Sequence, residues 1–212
     1  TCDMSCVYCF AETSSKIAKE EGVEIKNDFR EDDYAVFKQW IAEYLPRQDY
    51  IDRDIVFNFL GGEPTASKRF YDLVEFIESV SKNTTRIITI AICTNANTKP
   101  QLMNKLMKAV EKSNLLWSVS VSNEGFKEDA EMVRWGLDWN RFEENLKFYM
   151  SHPKIGVFSL TPTLNVLNLK SFPDYVEWAH NLFAKHGGDK KLAWYGNYIE
   201  QNELDIANLP KT

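Results

Sequence analysis

The chain has 212 residues, 44% of them hydrophobic, which is enough for one domain with a sizeable core, or one domain and a fragment of another. Its net charge of −6 and pI near 5.2, with no basic run, exclude nucleic-acid binding as its main activity. No run of about 18 apolar residues offers a membrane span, and no leader pattern opens the chain, so the expected location is the cytoplasm, where thiols stay reduced.

In chain order, a cysteine-rich loop occupies residues 1–12. Asp32-Asp33-Tyr34 then open a helical pattern carried by Val36, Phe37, Trp40, Ile41 and Leu45 and stopped by Pro46. Residues 54–60 are a short apolar run ending in Gly61-Gly62-Glu63-Pro64, which predicts a buried strand running into a tight loop. Helical spacing follows over 67–80, a β-rich run over 86–94, a helix over 101–110 and a strand over 115–122. A helix over 141–150 has Asn140 as its expected N-cap, and a strand over 155–164 comes next. A helix over 175–184, closed by Gly187-Gly188, and a strand over 192–198 complete the alternation. Residues 204–209 start a further element. Five strands alternating with helices predict parallel βαβ units, as in an open doubly wound sheet or part of a barrel.

The chemistry-bearing residues start with Cys2, Cys6 and Cys9, spaced CxxxCxxC with Tyr8 before the last. A cubane iron–sulfur cluster has four irons, usually all held by Cys thiolates. Three thiolates in one loop leave one iron open, and an open position is where metal chemistry occurs. A zinc knuckle needs a second ligand pair, yet the remaining candidates are Cys93 and three scattered His. A disulfide scaffold needs a small, cysteine-dense secreted chain, and four Cys in 212 residues do not make one.

In parallel α/β folds ligands bind at the carboxyl ends of strands. The polar and glycine-rich residues gather there: Gly61 to Pro64, Thr94-Asn95, Ser122-Asn123-Glu124 and the stretch from Thr161 to Asn165. Two glycines admit a ligand close to the backbone, and their carbonyls can accept from an ammonium. The planar guanidinium of Arg134 suits a carboxylate. Asn95 can donate and accept. Cys93, in an apolar run, is expected in the core, as are Trp135, Trp139, Trp178 and Trp194.

The CxxxCxxC loop, Gly61-Gly62-Glu63-Pro64, and the stretch from Ser122 through Glu131 and Arg134 to Gly136 together resemble the radical S-adenosylmethionine (radical SAM) superfamily, most closely its SPASM/twitch-type members. The resemblance implies a partial (β/α)6 TIM-like barrel over residues 1–200, with its first strand missing ahead of Cys2, and a truncated C-terminal extension at 201–212. It implies a [4Fe–4S] cluster on Cys2, Cys6 and Cys9, with SAM chelated at the open iron. Gly61, Gly62, Glu63 and Pro64 match the loop that holds the SAM amino group. Ser122 and Arg134 match residues near its carboxylate and ribose, Asn95 a ribose or substrate contact, and Asn165 a segment near the adenine. Glu124 stands where the family carries Asp, and Ala96 where it usually carries Gly.

The activity so implied is reductive cleavage of SAM to a 5′-deoxyadenosyl radical that abstracts hydrogen from a substrate, a peptide or a small molecule. An electron donor such as flavodoxin or ferredoxin is the implied partner. A glycyl-radical-enzyme activase shares the cluster loop and the Gly-Gly turn, and a non-catalytic iron–sulfur binding domain is the reading from a different class. No catalytic acid, base or hydrogen donor stands out.

Overall fold

A computed structural model describes residues 2–24, 30–47, 53–199 and 203–209. The chain begins with β1 (Ser5–Cys6), α1 (Ser15–Glu21) and α2 (Glu31–Tyr44). The expected alternation follows: β2 (Ile55–Phe59), α3 (Lys68–Ser81), β3 (Ile88–Thr94), α4 (Pro100–Lys112) and β4 (Leu116–Val121). The short α5 (Glu128–Val133) and β5 (Arg134–Trp135) lead to α6 (Trp139–Ser151), β6 (Ile155–Leu160) and β7 (Thr163–Leu164). The elements end with α7 (Phe172–His186), β8 (Leu192–Trp194) and β9 (Asn197–Tyr198).

Five strands form one parallel sheet in the order β2-β3-β4-β6-β8, so the chain advances steadily across it. β3 shows why the sheet has two unlike faces. Ile88, Ile90, Ile92 and Thr94 are buried, whereas Thr89, Ala91 and Cys93 between them are half-buried. Strand side chains alternate between faces, so one face packs and the other stays open. β4 repeats the pattern, with Trp117, Val119 and Val121 buried against half-buried Ser118 and Ser120.

The packed face shares a single core with the helices. Ile41 and Leu45 come from the α2 end, Phe70, Val74 and Ile77 from α3, Leu106 and Val110 from α4, Phe142 and Leu146 from α6, and Tyr175 and Ala179 from α7. Phe70 meets Trp117 edge-on at 6.4 Å between ring centres. Each such large apolar side chain removed from water contributes about 1.5–3 kcal/mol. The small residues of the open face leave room above the sheet.

Several local expectations change. The strand expected over 155–164 stops at Leu160, because Pro162 has no N–H to continue the ladder. Thr163 and Leu164 pair instead with Asn197 and Tyr198, which splits the last expected strand as well. α6 is capped by Asp138, whose carboxylate accepts from the Arg141 N–H at 3.0 Å, so the helix starts before Asn140. Trp139 is buried and Trp178 packs on the core, but Trp135 is 66% exposed and Trp194 36%, so these two are not core residues. Cys93 is half-buried on the open face rather than in the core. Residues 206–208 form one 3-10 turn, and 201–202 and 210–212 of the expected extension lie outside the described residues. Among the described residues no helix is long and apolar enough to cross a membrane.

Candidate active site

The cysteine loop is held from below by the first turn of α1. Ser14 caps that helix and its hydroxyl donates to the Met4 carbonyl at 2.7 Å. Ser15 accepts from the Cys2 N–H at 2.9 Å and donates to the Cys2 carbonyl at 2.8 Å. Farther along the loop, β1 pairs antiparallel with β5, setting Cys6 across from Arg134, and the Val7 N–H donates to the Val133 carbonyl at 2.9 Å. All three thiols are free. They differ in acidity. Cys6 is pulled down to about 5, first by a hydrogen bond from Cys9 and then by the Arg134 guanidinium. Cys9 is pushed up as the donor of that bond and by burial, and burial pushes Cys2 up.

Glu63 locks the glycine turn to the end of β3. Its buried carboxylate accepts from the Thr65 N–H at 3.1 Å and hydroxyl at 2.6 Å, from Thr94 Oγ1 at 3.0 Å, and from the Asn95 N–H at 2.8 Å. Burial raises its pKa, and these donors oppose the rise. Pro64 opens the 3-10 turn that carries the chain into α3. Gly61 has φ +82°, and a Cβ built there would meet nothing within 4 Å. The Glu63 carboxylate is thus engaged within the protein.

At the end of β4 the Ser122 N–H donates to the Thr94 carbonyl at 2.9 Å, and its hydroxyl lies 3.4 Å from the Cys93 sulfur. Arg134 donates from Nη1 to the Ser122 carbonyl, and its Nε stands 3.3 Å from Glu124 Oε2. Both members of that ion pair are almost fully buried, at 8% and 1% side-chain exposure. Burial raises Glu124 to about 7, with Arg134 pulling the other way. Tyr8 is held against the same pair, its hydroxyl made less acidic by burial.

The structure therefore brings Cys2, Cys6, Cys9, Glu63, Asn95, Ser122 and Arg134 into one connected network. Asn165 makes its described hydrogen bonds elsewhere. Its amide is engaged in its own turn, accepting from the Leu167 N–H at 3.0 Å and donating to the Thr163 carbonyl at 3.2 Å. Sequence reasoning missed Asp3, Asn97, Gly136 and the ion-pair role of Glu124. Asp3 accepts from Asn95 Nδ2 at 3.0 Å. Asn97 donates to the Gly136 carbonyl at 2.8 Å and accepts from the Asp138 N–H and from Arg141. For Asn97 the signal was asparagine at alternate positions just past a strand, where Asx turns form.

Residues 1–179 match the family model described as the Radical SAM superfamily. The chain belongs to that superfamily. Its members are enzymes that generally use a [4Fe–4S] cluster and SAM. No curated protein matches this sequence.

The radical SAM residues present fit those groups. Three soft thiol donors in one loop suit an iron–sulfur cluster. The hydrogen bond from Cys9 and the Arg134 guanidinium make the Cys6 thiol more acidic, which favours the thiolate form that ligates metal. Among the described residues no three His, Cys, Asp or Glu side chains converge as a single-ion site requires. A Cβ on Gly61 would meet open space, so the turn leaves room for a ligand beside it.

Proposed function

We propose that Cys2, Cys6 and Cys9 would hold the cluster of this radical SAM enzyme and that the Gly61-Gly62 turn would help hold SAM, the reaction being hydrogen abstraction from a peptide or small-molecule substrate. The observation that carries the reading is the contiguity of the cysteine loop, Glu63 and Arg134, which come from segments far apart in sequence. Bound there, the cluster and SAM would supply one-electron reductive cleavage of the sulfonium.

The chain's own residues bind and orient. The Gly61 and Gly62 carbonyls would accept from the SAM ammonium, while Glu63 and Pro64 hold the turn that presents them. Ser122 and Arg134 receive its carboxylate side, with Glu124 keeping the guanidinium oriented. Asn95 and Asn165 border the nucleoside end. The small residues Ala91, Cys93, Ser118 and Ser120 of the open sheet face leave space for substrate, and none carries a charge. The parallel sheet is read as five strands of a (β/α)6 partial barrel of SPASM/twitch type, and a flavodoxin or ferredoxin supplies the electron.

Anaerobic reconstitution followed by iron and sulfide assay tests the ligand set. The expected result is about four irons per chain for wild type and for Cys93→Ala. Loss of the cluster is expected for Cys2→Ala, Cys6→Ala or Cys9→Ala. A chain that keeps its iron without these thiols contradicts the assignment.

A further inference from the structure

Asn95 joins two halves of the site within one residue. Its main-chain N–H donates to Glu63 at 2.8 Å, fixing the glycine turn. Its side-chain Nδ2 donates to Asp3 at 3.0 Å, fixing the cysteine loop next to Cys2. Its Oδ1 accepts from the Asn97 N–H at 2.8 Å, which orients the amide so that the nitrogen faces Asp3. The residue is 4% exposed, and the next position, Ala96, has φ +52° and is fully buried. The turn is held further by Asn145, which donates to the Ala96 and Thr98 carbonyls at 2.9 Å each.

Asn97, two residues on, ties the same turn to the segment after β5. Its Nδ2 holds the Gly136 carbonyl, and a Cβ on Gly136 would stand 3.4 Å from the Asp3 carbonyl and 2.7 Å from Lys16 Nζ. Gly136 has φ +103°, so glycine alone suits this close approach. The turn at the end of β3 is thus bonded to the cysteine loop at Asp3 and to Gly136, which packs close to the Asp3 main chain.

We propose that Asn95 is a positioning residue: its bond to Asp3 sets the distance between the cysteine loop and the Gly61-Gly62 turn, and so governs how SAM is seated. This rests on the cluster and SAM placement proposed above. A hydrogen bond of this kind acts through geometry, so its loss is felt by the ligand that bridges both halves. The amide also has one competent orientation only, because the Asp3 carboxylate can only accept and the Asn97 N–H can only donate.

The test compares reconstituted wild type with Asn95→Asp, Asp3→Ala and the reciprocal swap that combines Asp3→Asn with Asn95→Asp. Readouts are iron per chain, the SAM-induced change in the electron paramagnetic resonance spectrum of the reduced cluster, and KM for SAM against kcat for 5′-deoxyadenosine. Asn95→Asp sets two carboxylates at hydrogen-bonding distance, and KM is expected to rise about tenfold with kcat changed less than about twofold. Asp3→Ala raises KM in the same direction without adding charge. In the swap the amide now at position 3 donates to the carboxylate now at position 95, whose second oxygen accepts from the Asn97 N–H. KM then returns to within about threefold of wild type. A swap that fails to restore KM overturns the inference, as does Asp3→Ala with wild-type KM and spectral response. A loaded wild type whose spectrum ignores SAM overturns the cofactor placement and this inference with it; a responsive wild type matched by Asn95→Asp overturns this inference alone.

Discussion

Cys6 and Arg134 are partners across a two-residue antiparallel pair, and the guanidinium lies against the thiol. That pairing joins the cysteine loop to the segment that follows β4. It also means that the positive charge of Arg134 is shared between the Cys6 thiol, a buried carboxylate and the Ser122 carbonyl.

The first consequence is a pH dependence in the metal-free protein. The Cys6 pKa is lowered from 9.0 to about 5. A depressed acid contributes stability that is fully present above its unfolded pKa and is lost as pH falls through the folded one. The window for Cys6 thus runs from pH 9 down to about 5. Arg134→Gln removes one of the causes, so thiolate absorbance at 240 nm should appear at higher pH than in wild type. The stability gap between the two should widen as pH rises from about 5. Superimposable thiolate titrations would show that the guanidinium does not act on Cys6.

Glu124 and Arg134 give a stability prediction. Removing one partner of a buried ion pair leaves the other uncompensated, at a cost of about 3–5 kcal/mol. Glu124→Ala should therefore lower the urea midpoint strongly, whereas Glu124→Leu/Arg134→Met should recover much of the loss. A Glu124→Ala midpoint close to wild type would mean that water reaches the guanidinium.

The sheet and its helices were legible because periodicity follows packing. In β3 the alternation of Ile88, Ile90 and Ile92 with smaller residues marks the packed face directly. The cysteine loop and the glycine turn were legible because their chemistry is local. What the sequence did not disclose depends on distant segments meeting. Nothing near Asp3 signals Asn95, and nothing near Trp135 signals that β5 turns it outward while Arg134 turns inward. Strand ends also escaped periodicity: Pro162 divides an apolar run that reads as one strand.

Gly61 separates folding from ligand binding. Its φ of +82° makes Gly61→Ala strained, at about 1 kcal/mol, although the added methyl meets open space. The variant should fold and load iron, with a modestly lowered melting temperature. KM for SAM should rise by about tenfold or more if SAM lies against the turn. Unchanged KM would place SAM elsewhere.

The central claim is tested most directly by incubating the anaerobically reconstituted, dithionite-reduced protein with SAM and quantifying products. Formation of 5′-deoxyadenosine and methionine in equal amounts is expected, and neither should form with Cys2→Ala, Cys6→Ala or Cys9→Ala. A protein loaded with about four irons per chain that releases no 5′-deoxyadenosine would contradict it.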